Sequence, residues 1–245
     1  MLAPRSMLAL LLSTQIPALL GGPAAQTSTP EGSRIVKVGG AHGQPGYTLR
    51  VSASGNLGRI EVDDASGSHV QILLCSLLRN ELGPTALELA GMDEQFVVNF
   101  AIEDLNFDGY PDLKAPREFG AKWGRYCVWL FDPTNRRFMN DGLAEQMELL
   151  YNLEADAEHE RVLAYTIGPV NPMRDEYRIE GVGKDRPYWP RLIPVRSCFI
   201  ESASPPFVQV LTDYDQGRPV VKRQRFDLRA VCSSACDCVQ PATRP

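Results

Sequence analysis

The sequence predicts an all-β fold, a sandwich, barrel or propeller-like assembly of short strands with one short helix. Three observations predict it. Runs such as Tyr47 to Ser52 and Arg59 to Asp63 alternate with a period of two, the mark of a strand with one buried face. Turn signals recur at short intervals, at Asp64-Ala65-Ser66-Gly67, Asp132-Pro133-Thr134-Asn135 and Asp213-Tyr214-Asp215-Gln216-Gly217. Tyr126-Cys127-Val128-Trp129-Leu130-Phe131 is apolar on both faces, as expected of a strand at the centre of the fold.

Taken in order, Met1 to Ala25 reads as a secretory signal. Arg5 supplies the basic start, Met7 to Leu20 the apolar stretch, and Gly21 to Ala25 the small residues before a cleavage point. The apolar stretch falls short of the roughly 20 residues a membrane span requires, and no second run approaches that length. No Cys lies near the cleavage region to take a lipid, so a soluble periplasmic or secreted protein is expected.

What remains, about 220 residues, fits one all-β domain or two small ones. The composition, 44% hydrophobic and 22% charged, is that of a globular core. A net charge of −5 and a pI near 5.3 give no electrostatic support to a nucleic-acid or anionic-membrane role. Cys75, Cys127, Cys198, Cys232, Cys236 and Cys238 form an even set in an exported chain, which suggests disulfides, though six cysteines allow fifteen pairings. A zinc site in the tail, 232–245, is disfavoured because no His lies nearby in sequence.

Residues 26–46, rich in Thr, Ser, Pro and Gly, read as a flexible lead-in, and the domain proper is expected over 47–231. Arg59 to Asp63 and Val70 to Leu74 form a hairpin across the Asp64 turn. Leu77 to Leu89 is ambiguous between helix and loop. Phe96, Val98, Phe100 and Ile102 alternate and predict a strand, whereas Lys114 to Gly124 reads as a connection. Leu143, Met147 and Leu150 at i, i+4 and i+7 predict a helix within Gly142 to Leu153. Further strands are expected at Arg161 to Ile167, Glu176 to Glu180 and Ile193 to Ile200, with a last hairpin from Phe207 to Phe226.

The chemistry is concentrated between Ile102 and Leu113. Asp104, Asn106, Asp108 and Asp112 stand at loop positions 1, 3, 5 and 9, with Gly109 at position 6 and the Tyr110 carbonyl at position 7. That is the oxygen-ligand spacing of a calcium loop. Three carboxylates in nine residues repel one another unless a cation lies between them, so Ca2+ is the expected ion. Position 12, the closing Glu of the helix-loop-helix version, is Ala115, and position 8 is Pro111, so Asp112 must close the shell in a strand-to-strand turn. The alternative is a metal-free acidic turn whose Asp and Asn side chains bond their own backbone.

Ile102 to Leu113, followed by Tyr126-Cys127-Val128-Trp129-Leu130-Phe131-Asp132-Pro133 and Phe138, resembles a family of exported bacterial proteins with an integrin-propeller type of calcium loop. The family includes periplasmic immunity proteins that inhibit lysozyme-like peptidoglycan hydrolases. Tyr214, Gly217 and Pro219-Val220-Val221 match its closing hairpin. The resemblance implies a compact β-propeller-like domain, a calcium site at Asp104, Asn106, Asp108, Tyr110 and Asp112, and inhibition of a cell-wall hydrolase as one function. The Cys-rich tail and the Lys184 to Pro190 insertion depart from the family pattern.

Three classes of function follow. An inhibitor would present a rigid loop to a hydrolase cleft, and Arg186, Tyr188 and Trp189, stiffened by Pro187 and Pro190, supply anchors of the usual kind. The same rings could instead cover the core beneath a long loop. An enzyme is disfavoured, because His42, His69 and His159 have no sequence neighbour that suggests a nucleophile and its base. A structural or adhesion-type exported domain would use calcium for stability alone.

Overall fold

Strands dominate the computed structural model, which describes residues 27–28, 33–77, 93–120, 123–166, 173–181, 190–201, 207–226, 231–232 and 238–239. The first sheet contains β1 (Thr27–Ser28), β2 (Ser33–Val38), β3 (Tyr47–Ser54), β4 (Leu57–Asp64) and β5 (His69–Ser76). The second holds β6 (Ala101–Glu103), β7 (Asp112–Gly120), β8 (Trp123–Asp132) and β9 (Arg137–Met139). The third holds β10 (Glu154–Asp156), β11 (Arg161–Thr166), β12 (Met173–Glu180), β13 (Arg191–Ile200), β14 (Phe207–Asp215) and β15 (Arg218–Phe226). Each is an open antiparallel meander in which chain neighbours are sheet neighbours. A short pair, β16 (Val231–Cys232) with β17 (Cys238–Val239), lies in the tail. The all-β expectation holds at this level.

Among the described residues two helical pieces interrupt the strands, α1 over 93–98 and α2 over Gly142–Glu148. The second is the expected helix. Asp141 caps it by accepting from the amides of Leu143 and Ala144, and Leu143, Ala144 and Met147 are buried. The first replaces the expected strand, of which only Ala101–Glu103 is extended. Phe96, Val97 and Phe100 are buried while Val98 is 58% exposed, a spacing of i, i+1 and i+4 that suits a helix. Phe96 lies over Gly58 of β4, where an added methyl would meet the ring at 2.2 Å.

Two other expectations are corrected. Residues 33–38, inside the supposed lead-in, form β2 and pair with β3 from Ser33↔Ser52 to Val38↔Tyr47. Val36 and Val38 are buried, so this strand belongs to the core. The supposed connection after the loop is β7, paired with β8 and broken by a bulge between Pro116 and Glu118. Proline lacks a donor for the ladder, and β6 covers only Asp112 to Lys114 of β7, so Pro116 sits where one side is an edge.

The middle sheet carries both cores. Cys127, Trp129 and Phe131 of β8 join Leu49, Val51, Ile60 and Val62 of the first sheet in one cluster. Val128 and Leu130, on the opposite face, join Leu143 and Met147 of α2 and Val162 of β11 in another. A disulfide between Cys75 on β5 and Cys127 on β8 ties the first two sheets together. Cys198 is disulfide-bonded as well. Its partner, the side chains of Cys232 and Cys238, Cys236, the supposed signal and Leu78 to Leu89 lie outside what is described.

Candidate metal centre

β6 and β7 are joined by the acidic loop, and the pair Glu103↔Asp112 closes it, so the loop stands in a strand-to-strand turn as the spacing requires. Two residues of left-handed backbone turn the chain, Phe107 at φ 60° and Gly109 at φ 85°. Glycine suits position 109 because its φ lies in the left-handed region, and a Cβ there would also meet the tip of the exposed His42 ring at 2.4 Å, which would have to move.

The loop folds around its own carboxylates. Asp104 accepts from the amides of Asp108 at 3.1 Å and Gly109 at 2.9 Å. Asn106 accepts from the Asp108 amide at 3.2 Å and donates to the Asp108 carboxylate at 3.0 Å. Asp108 accepts from the Tyr110 amide at 2.9 Å. These are the bonds of an acidic turn, and they occupy three of the four expected side-chain ligands. Asp112 differs. It is fully buried, and its two oxygens accept from the Leu105 amide at 2.8 Å and the Phe131 amide at 2.7 Å. It thereby fastens the loop's start to the strand at the centre of the fold.

Burial and mutual repulsion both act on the carboxylates of the loop. Burial pushes the Asp112 carboxyl up to about 8, opposed by its two amide donors and assisted by the charges of Asp108 and Asp104. Burial likewise raises Asp108, with Asp104 adding repulsion. Among the described residues, no group of three or more His, Cys, Asp or Glu side chains is gathered as a metal would require. The all-oxygen set suits a hard ion, because a carboxylate oxygen that accepts one amide retains a lone pair for a cation. The chemistry of the donors therefore fits calcium. Its shell would have to draw on Asn106 and the Tyr110 carbonyl besides the carboxylates.

A pH dependence follows. Asp112 keeps its proton in the native state to about pH 8, whereas an unfolded Asp loses it near pH 4. Over that window the native state binds more protons, so stability without a bound ion should fall as pH rises from about 4 to about 8. Asp64, Asp132 and Asp213, whose carboxyls are held below the ordinary range, act below this window. Thermal melts in chelator across that range test it, and a flat profile, or the same slope in Asp112→Asn, would exclude Asp112 as the cause.

Three neighbours were not foreseen as parts of this site. The His42 ring packs edge-on against Tyr110 at 5.1 Å, bringing the supposed lead-in over the loop. Tyr110 in turn meets Phe131, which packs with Tyr47 and Phe138. Lys114, in the segment read as a connection, is buried and paired with Glu103 at 2.8 Å, and it donates to the Leu153 carbonyl at 2.8 Å. Only a long-range view finds such contacts, since their partners are far apart in sequence.

The anchor candidates Arg186, Tyr188 and Trp189 lie outside the described residues. Of the histidines, His69 lies 3.4 Å from Asp63 and His159 3.0 Å from Asp156. Comparison of the chain with protein-family models, with curated proteins and with solved structures produced no match.

Proposed function

We propose that this is an exported calcium-binding protein, periplasmic or secreted, that acts as an immunity-type inhibitor of a lysozyme-like peptidoglycan hydrolase rather than as an enzyme. The observation that carries the reading is the loop between β6 and β7, with oxygen donors at four ligand positions and a buried closing carboxylate. Asp104, Asn106, Asp108, the Tyr110 carbonyl and Asp112 would hold the ion. Calcium would supply the positive charge that offsets the mutual repulsion of the three carboxylates. The Cys75–Cys127 disulfide supports export, since such bonds persist in oxidising compartments. In this reading the three meanders act as blades of a propeller-like scaffold. The segment 183–190 then reaches into the hydrolase cleft with Arg186, Tyr188 and Trp189.

One observation favours a second reading, a calcium-stabilised structural or adhesion-type domain. The closing carboxylate is bonded to the fold's central strand, which makes the loop a brace in its own right. Peptidoglycan hydrolysis by lysozyme-like enzymes, measured with the mature chain in calcium and in chelator, separates the two. Calcium-dependent inhibition that is lost in the Tyr188→Ala, Trp189→Ala double variant supports the inhibitor. A calcium-dependent rise in Tm without inhibition supports the structural domain.

A further inference from the structure

Among the described residues, β15 is the last strand of the third sheet and pairs on one side only, with β14. Its hairpin turns at Gln216 and Gly217, both with positive φ, 49° and 78°. Two left-handed central residues make a type I′ turn, whose flanking residues Asp215 and Arg218 form a hydrogen-bonded pair. Hydrogen-bonded pairs then recur at every second residue, so Val220, Lys222 and Gln224 direct their backbone groups to β14. Pro219, Val221, Arg223 and Arg225 direct theirs away from the sheet. Pro219 fits this assignment, because a residue without an N–H belongs on the free side of an edge.

The free side is long and open. Every residue from Asp215 to Arg225 is exposed, Val220 at 46% and Val221 at 51%. Among the described residues, the other terminal strands are two or three residues long, at β1, β6, β9 and β10, or fastened by a disulfide, at β5, and the open stretch of β7 beyond Lys114 is interrupted by Pro116 and a bulge. β15 also inverts the charge of the chain. In a protein of net charge −5, its nine residues carry Arg218, Lys222, Arg223 and Arg225 and no acid. Lys222 pairs with Asp213 and Arg223 with Glu201, while Arg218 and Arg225 make no ion pair among the described residues.

We propose that this edge receives an extended acidic segment of a partner protein as an added antiparallel strand. Edge addition needs free backbone donors and acceptors, which Val221, Arg223 and Arg225 supply, and flanking side chains that select the incoming strand. Four cations select acidic residues, since opposite charges across a strand pair attract and like charges repel. The same rule opposes pairing with a second copy of β15, which would set cations against cations. The inference is independent of the calcium loop and of the inhibitor reading.

The probe is a labelled nine-residue peptide of alternating Glu and Val, with a Lys-Val counterpart, titrated into the full chain and followed by fluorescence anisotropy and amide exchange. The Glu peptide should bind, the Lys peptide should not, and exchange should slow at Val221, Arg223 and Arg225. Val221→Pro removes one outward N–H and leaves the β14 ladder intact, so it should weaken binding about tenfold or more. Arg223→Glu with Arg225→Glu, both exposed, should abolish binding and serves if the proline variant fails to fold. Absence of Glu-peptide binding overturns the proposal. Binding without amide protection also overturns it, because that is charge attraction without strand addition. A concentration-dependent dimer lost in Val221→Pro would assign the edge to a second copy and overturn the acidic partner.

Discussion

Asp112→Ala is expected to destabilise the protein more than any other single change in the acidic loop. Its two oxygens satisfy the amides of Leu105 and Phe131, residues only 1% and 4% exposed. A buried N–H left without an acceptor costs about 1–3 kcal/mol, and here two are orphaned together. That is a large share of the roughly 5–15 kcal/mol that holds an ordinary domain. Asp112→Asn keeps one carbonyl acceptor and should cost about half as much. Urea denaturation in chelator at pH 6 reads the difference, and an alanine variant within about 0.5 kcal/mol of wild type would remove Asp112 from its bracing role. In saturating calcium the gap between wild type and Asp112→Ala should widen if the ion is held there, because a bound ion adds stability only to the state that binds it.

Loss of the Cys75–Cys127 bond should have an effect of comparable size. It closes a sequence separation of 52 between β5 and β8, and the chain-entropy account puts such a loop at about 4 kcal/mol, within an observed range of about 2–5. Both cysteines are buried, Cys75 at 1% and Cys127 at 5%, so the double alanine variant also keeps the site apolar. Under non-reducing conditions that variant should melt well below wild type, and a strong reductant should narrow the gap. Equal melting temperatures without reductant would mean that packing alone holds the first two sheets together.

The features legible in sequence were those set by neighbours along the chain. The hairpin across Asp64 and Gly67 and the last hairpin across Gly217 carry their own turn residues, and β4 with β5 and β14 with β15 pair as expected. Leu143 and Met147 announced α2 by spacing. What was hidden depended on contacts across the chain. Phe96, Val98 and Phe100 alternate, yet Phe96, Val97 and Phe100 are the residues that meet the core, and so short a window does not separate the two periods. β2 sits in a stretch whose average composition is that of a linker, although Val36 and Val38 find a core. Lys114 and Pro116 hid β7, because a buried lysine reads as surface until its partners Glu103 and Leu153 are known. In the acidic loop the ligand spacing was visible at once. The turning of Asp112 toward the backbone was not, since the Phe131 amide lies 19 residues away.

The burial of β8 on both faces has a consequence for how the chain is made. Synthesis delivers the first two meanders before α2 and the third, so a nascent chain that stops short of α2 has covered the Cys127, Trp129 and Phe131 side of that strand but lacks Leu143, Met147 and Val162 for the other. Val128 and Leu130 then have only the loop residues Leu105 and Phe107 from their cluster beside them, on a strand with no charge between Tyr126 and Phe131, a composition prone to intermolecular sheet formation. The interval before the second half emerges is therefore when the molecule is most exposed to aggregation. A holding chaperone would protect it best by occupying the Val128 face until β11 and α2 arrive.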